Sequence, residues 1–357
     1  MPVVKRKSSV LMFCILVTFG ITISACKPAD LHHDTGIESE NAEHGVSGKL
    51  TFSYRILEIR VKLSGYKQIY AKGVEALVLT TQKMNSSKPQ VPPKNFYRRF
   101  IVTETTIKGR PCFLITPKQN IRTDTVVFFM YGGGFMLGID FWHWNTIERI
   151  LVELSMPVCV PLYPIFPETD YNITMNFINE AFNQFCSAYP DSRIVGLGDS
   201  SGSYLLLALC HYLTLTDAQR FPDRLVCVSP AQLVGIDEAT FNEIKKIDEK
   251  DIVIPIEIFK DLRFLFDLHD DDLNWFSAPL QGDFSRFPPI TVFSGTHDLF
   301  YPLMKSFVEN VRSQGKNIDL YTGYGMMHVW PYMPNTSEST QALNIILGII
   351  QNGGTQG

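Results

Sequence analysis

The sequence lacks what a nucleic-acid or metal-binding protein needs. With 32 Lys and Arg against 36 Asp and Glu, its formal net charge is -4 and its pI about 6.1. There is thus no basic footprint for a phosphate backbone, and no nucleic-acid partner is expected. No C-x-x-C pair and no cysteine–histidine cluster occurs, so no metal site is expected. With Cys14 and Cys26 set aside in the N-terminal segment, Cys112, Cys159, Cys186, Cys210 and Cys227 remain, an odd number, each in an apolar strand or helix pattern. They read as buried small hydrophobes and exclude a disulfide framework. No internal repeat is present, which excludes a repeat array. What remains is a chain of 357 residues, 45% hydrophobic, with mean hydropathy +0.03. That length suits two average domains or one α/β core with insertions.

The N-terminus is a different object. Lys5, Arg6 and Lys7 precede an apolar run from Val10 to Ile23, followed by Ser24, Ala25 and Cys26. A charged start, a short apolar stretch and small residues describe an export signal. The cysteine after those small residues resembles a bacterial lipobox, which implies cleavage before Cys26 and lipid attachment to its sulfur. An uncleaved transmembrane anchor is the alternative, but the run is shorter than the roughly 18–20 residues a span requires. Either way the body of the protein is expected outside the cytoplasm, held at a membrane. Residues 27–49 are polar and acidic without apolar periodicity, and predict a flexible tether; His32, His33 and His44 within it have no fold to fix them as ligands.

Phe52, Ile56, Ile59 and Leu63 recur at helical spacing within residues 50–75. After a Pro/Ser/Lys-rich break at 86–94, strand-like and helical runs alternate. Strands are predicted at 100–106, 110–116, 125–130, 158–162, 193–197, 225–229, 290–294 and 318–322. Helices are predicted near 142–155, 171–188, 201–214, 303–314 and 337–351. Such alternation predicts an α/β fold with a mostly parallel eight-stranded sheet. About sixty residues separate the sixth and seventh strands, far more than a crossover needs. Residues 236–275 there are acidic and helical in pattern, and with residues 50–75 they suit a lid over the strand ends.

Gly198-Asp199-Ser200-Ser201-Gly202 stands where an apolar strand runs into an apolar helix. A serine nucleophile on a sharp strand-to-helix turn needs small residues two positions either side; an ordinary turn capped by Ser200 or Ser201 is the plainer reading. Tyr131-Gly132-Gly133-Gly134-Phe135 directly follows the strand at 125–130. Three glycines there cost backbone entropy but let a substrate oxygen approach bare N–H groups, as an oxyanion hole requires. The strand at 290–294 leads to Gly295-Thr296-His297-Asp298, where a carboxylate can hold a histidine's Nδ1–H. Thirty positions on, His328 falls on a loop after the last strand. Asp298 also suits a helix cap, and His328 a surface position. His297 is a rival base but adjoins Asp298 too closely to be oriented by it. Asp199 is expected to be structural, Glu168 to order a nearby loop, and His143 and His211 to be packing or surface residues. The chain order Ser200, Asp298, His328 is that of α/β-hydrolases.

From about residue 95 onward the chain resembles the hormone-sensitive lipase branch of the α/β-hydrolases. The resemblance rests on Gly132-Gly133-Gly134-Phe135, Tyr163-Pro164 with Pro167-Glu168, Gly198-Asp199-Ser200-Ser201-Gly202, Gly295-Thr296-His297-Asp298 and His328. It implies a core at 95–357 with a cap insertion at about 232–286 and a cap contribution from 50–94. It also implies carboxylester hydrolysis without a cofactor, with Ser200, Asp298 and His328 as catalytic triad. Gly133, Gly134 and Ser201 would donate the oxyanion-hole N–H groups. The substrate expected is a small-molecule or lipid ester. Tyr131 departs from the family, which usually carries histidine there. A peptidase or deacetylase on the same fold, or a non-catalytic binding lipoprotein, are the alternatives.

Overall fold

The computed structural model describes residues 43–46, 50–88, 90–168, 171–265 and 276–352. The export-signal segment and Cys26 lie outside the described residues. The elements run β1 (Glu43–Val46), α1 (Phe52–Ser64), α2 (Tyr66–Tyr70), α3 (Val74–Ser87), α4 (Lys94–Arg99), β2 (Phe100–Ile107), β3 (Arg110–Pro117), β4 (Thr125–Met130), α5 (Phe141–Arg149) with a π-helical turn at Ile150–Leu154, and β5 (Val158–Pro161). They continue as α6 (Tyr171–Ala188), β6 (Arg193–Asp199), α7 (Ser201–Leu215), β7 (Arg224–Val228), α8 (Glu238–Asp248), α9 (Ile258–Leu265), β8 (Ile290–Gly295), α10 (Tyr301–Ser313), β9 (Ile318–Gly323), a 3-10 turn at Trp330–Tyr332, and α11 (Ser337–Gln351).

Among the described residues the strands form one sheet in the order β1-β9-β8-β7-β6-β4-β5-β3-β2. All pairings are parallel except β2 with β3 and β3 with β5. Every residue of β4 and β8 is buried, the pattern of parallel strands covered by helices on both faces. β2, at the edge, is mostly exposed between Phe100 and Ile107. Each of the eight strands expected from the sequence is present. The ninth is a correction: Glu43–Val46, within the stretch expected to be a tether, pairs in parallel with Leu320–Gly323. Four residues without apolar alternation carry no strand signal. Their backbone completes an open sheet edge, and the His44 ring stacks on Tyr321 at 4.5 Å.

Because β4, β6, β7, β8 and β9 run parallel, their carboxyl ends share one edge of the sheet, where α/β folds place ligands. The glycine loop, Ser200, Asp298 and the loop bearing His328 follow β4, β6, β8 and β9 respectively. α1 stands over this edge. Thr51 caps it by accepting the Tyr54 N–H, and Glu338 at the start of α11 accepts both the Thr51 N–H (2.6 Å) and its hydroxyl (2.9 Å). The predicted apolar spacing of α1 does make a helix, but its stripe faces solvent: Phe52 is 78%, Ile59 57% and Leu63 71% exposed.

Candidate active site

Ser200 ends β6 and opens α7 with φ 48° and ψ -120°, a sparsely populated backbone conformation for a side chain other than glycine's. The Ser200 N–H donates to the Val228 carbonyl at 2.8 Å, which ties the turn to β7. Gly202 permits the tight approach of α7 to β4, since a Cβ there would stand 2.0 Å from the Met130 carbonyl oxygen.

Three groups far apart in the chain meet here. His328 Nε2 lies 2.9 Å from Ser200 Oγ, and His328 Nδ1 lies 3.0 Å from Asp298 Oδ1. A carboxylate only accepts, so Nδ1 carries the proton and Nε2 is left to accept the serine hydroxyl. All three side chains are buried, Asp298 completely. Asp298 Oδ1 also accepts the Phe300 N–H at 3.0 Å, which fixes the carboxylate at the start of the turn into α10. The histidine loop is held on both sides: the Met327 N–H donates to the Tyr54 hydroxyl (2.8 Å) and the Val329 N–H to the Ser229 hydroxyl (2.9 Å). Burial disfavours the His328 imidazolium, but the Asp298 charge and hydrogen bond, with Asp251 and Asp199 beyond, outweigh it. The pKa is therefore held above the ordinary histidine value.

Asp251, on the insertion between α8 and α9, was not singled out from the sequence. It is fully buried and accepts the N–H groups of Val253 (2.7 Å) and Ile254 (2.9 Å) on one oxygen and of Leu299 (2.7 Å) on the other. Burial and the neighbouring Asp298 charge push its pKa up to about 6. A lone carboxylate in an acidic stretch gives no sequence signal. The one hint is its place just before the apolar run Ile252-Val253-Ile254.

Asp199, beside the serine, holds the glycine loop. Its Oδ1 accepts the Gly132 N–H at 3.0 Å, and the His143 Nε2–H bridges its two oxygens at 3.2 and 3.3 Å. A Cβ on Gly132 would stand 2.3 Å from Asp199 Oδ2. His143 and Asp199 are therefore also an imidazole–carboxylate pair, but a differently engaged one. His143 Nδ1 accepts the Asp140 N–H at 2.9 Å as part of the α5 capping box, leaving no ring nitrogen to take a serine proton. Among the described residues, the N–H groups of Gly133, Gly134 and Ser201 donate to no protein acceptor. Tyr131 is buried and stacks on Tyr163 at 4.4 Å, and the Tyr163 hydroxyl donates to the Tyr131 carbonyl at 2.8 Å. The tyrosine pair thus braces the glycine loop.

The remaining candidates lie apart from this chain of hydrogen bonds. His297 is half-buried, with its pKa lowered by burial and by Lys250 and Lys62, and its ring bonds neither Ser200 nor Asp298. His211 is buried against the Pro279 carbonyl, and burial pushes its pKa down to about 4. Glu168 pairs with Arg110 at the surface. Among the described residues no His/Cys/Asp/Glu group is arranged to hold a metal, and no helix is long and apolar enough to cross a membrane.

Above Ser200 and His328 opens a cavity of about 590 Å³. Gly133 and Gly134 line it below, and Ile56, Leu57 and Val61 of α1 with Val253, Ile254 and Ile258 of the insertion line it above. Residues from both 50–75 and 236–265 thus line the cavity; residues 266–275 of the expected lid lie outside the described residues.

Comparison with known proteins agrees with this architecture. The chain is 24% identical to a triacylglycerol lipase of Mycobacterium tuberculosis over 199 residues, 55% of this chain but only 39% of that protein's own length. It is 25% identical to an esterase of Acinetobacter venetianus over 224 residues, 60% of this chain and 72% of the relative. The crystal structure of an esterase from the bacterial hormone-sensitive lipase family superposes with a TM-score of 0.66 at 22% identity, covering 84% of this chain and 98% of that one. Residues 127–332, which carry the glycine loop, Ser200, Asp298 and His328, match the family model described as the alpha/beta hydrolase fold, and the chain belongs to that family.

Proposed function

We propose that this protein is a serine carboxylester hydrolase of the esterase/lipase kind. The observation that carries the reading is the hydrogen-bonded series from Ser200 Oγ through His328 to Asp298, 2.9 and 3.0 Å, beside three backbone N–H groups that donate to no acceptor among the described residues. Ser200 attacks the ester carbonyl while His328 Nε2 takes its proton. The carbonyl oxygen becomes an oxyanion received by the N–H groups of Gly133, Gly134 and Ser201. Asp298 keeps the imidazole in the productive tautomer and stabilises the imidazolium. His328 then returns the proton to the departing alcohol, and water repeats the sequence on the acyl-enzyme. The apolar walls of the cavity favour a greasy acyl or alcohol group over a charged one. The names of the relatives, a lipase and an esterase, support the same class.

The reading includes location. The basic start, the apolar run and Cys26 support an extracytoplasmic protein anchored to the cell envelope by lipid on that cysteine. Radiolabelled palmitate incorporated by the natural protein and lost in Cys26→Ser is the expected result.

The test of activity is turnover of p-nitrophenyl esters of increasing chain length. Ser200→Ala is expected to lower kcat at least about a thousandfold with an unchanged circular dichroism spectrum. Near-normal turnover by that variant would overturn the assignment.

A further inference from the structure

We infer that the exposed face of α1 is a lipid-docking surface that sets the mouth of the cavity against an anionic bilayer. At about 100° per residue, Phe52, Ile56, Ile59 and Leu63 fall within an arc of about 60° on this helix. Three of the four are large, apolar and more than half exposed, a continuous stripe rather than scattered residues. About a quarter-turn to one side lie Ser53, Arg60 and Ser64, which line the cavity together with Ile56. About a quarter-turn to the other side lie Arg55 and Lys62, both exposed. One edge of the stripe thus opens into the candidate active site and the other is cationic. Glu58, the helix's single acidic residue, is half-buried, so its exposed charges are Arg55, Arg60 and Lys62. Phe141, 41% exposed, extends the apolar rim of the same cavity.

An apolar stripe with basic flanks is the composition of a helix that lies in the plane of a membrane surface, its apolar face among the acyl chains and its cations at anionic headgroups. A second copy of the chain would meet the same cations with its own, so charge favours lipid over self-association. The position in the chain points the same way. Cys26 stands 17 positions before β1 (43 minus 26), a chain length of at most about 60 Å, and α1 begins six positions after β1 ends (52 minus 46). The choice of a bilayer rests on the lipoprotein reading above; the docking face itself is tested without the anchor.

The experiment uses a chain beginning at Lys27, which keeps the nine strands and every flanking helix of the described fold. It is sedimented with vesicles of phosphatidylcholine alone and of phosphatidylcholine with one quarter phosphatidylglycerol, and hydrolysis of a soluble p-nitrophenyl ester is measured in parallel. Binding to the anionic vesicles is expected, at least tenfold weaker in Phe52→Ser/Ile59→Ser/Leu63→Ser. The preference for the anionic vesicles should be lost in Arg55→Gln/Lys62→Gln. None of these five side chains lines the cavity, so hydrolysis of the soluble ester should stay within twofold. Equal vesicle binding by the triple variant and the natural sequence would overturn the inference, as would no binding at all. So would a dimer in sedimentation velocity that the triple variant dissolves, which would make the stripe a self-association face. Vesicle binding does not require turnover, so absent hydrolysis with intact binding would sink the hydrolase reading and leave this one standing.

Discussion

Replacing Gly132 by alanine tests the glycine loop with a single methyl group. The added Cβ would stand 2.3 Å from Asp199 Oδ2 and 2.9 Å from the Asp199 carbonyl oxygen, against comfortable non-bonded separations of about 3.5 Å. More than about 1 Å must therefore open between the loop and β6. Asp199 cannot yield cheaply, because it is buried and holds both the Gly132 N–H and His143. The loop moves instead, and Gly133 and Gly134 move with it. Loss of one oxyanion donor costs about 10²–10³ in kcat, or about 2.7–4 kcal/mol, and overpacking a rigid site costs about 1–3 kcal/mol of stability. The assay is steady-state hydrolysis of p-nitrophenyl acetate, with thermal unfolding by circular dichroism alongside. The expected result is a fall of at least about a hundredfold, mainly in kcat, in a protein that still folds. A folded Gly132→Ala protein with kcat within about threefold of the natural one would refute the oxyanion role, since one well-placed donor is worth far more than that.

In the proposed mechanism the base must be neutral to act, and His328 is shifted toward its protonated form; activity should therefore rise with pH through a single ionisation lying above the ordinary histidine value of about 6.5. Asp251→Asn removes one of the buried charges favouring the imidazolium, so it should move this limb of the kcat/KM profile to lower pH; an unmoved limb would show that Asp251 exerts no field on the site. His143→Ala should cost less than about a hundredfold, through the slackened Asp199, and leave the acid limb in place. Abolished activity would show that the hold of His143 on Asp199 is indispensable to the glycine loop. Tyr54→Phe leaves the buried Met327 N–H without its acceptor, for a loss of about 1–3 kcal/mol in denaturant unfolding; no loss would mean the loop finds another partner.

The sheet was legible because its strands are short apolar runs bounded by turn residues. β4, β6, β7 and β8 need no alternation when both faces are covered. β1 was not legible, since Glu-His-Gly-Val owes its conformation to the open edge of β9 rather than to its own side chains. The helix at Phe52–Ser64 was legible by period, yet period does not say which side of a helix is buried. Tyr54, Leu57 and Val61 pack inward while the stripe that announced the helix faces out. Within the site, Ser200, Asp298 and His328 were marked by local context, each at the end of a strand or on the loop after one. Tyr54, His143 and Asp251 act on that site through contacts spanning many tens of residues, and such pairings leave no local pattern. Tyr131 stood out only as a departure, and its stacking partner Tyr163 comes from the next strand's end.

The most direct test of the account is where an ester-mimicking electrophile lands. A fluorophosphonate incubated with the folded protein and mapped by peptide mass spectrometry should modify one residue, Ser200, and labelling should fall sharply in His328→Ala. A folded protein that is never labelled, or one labelled at another serine, would contradict the proposal that the Ser200 oxygen is the nucleophile.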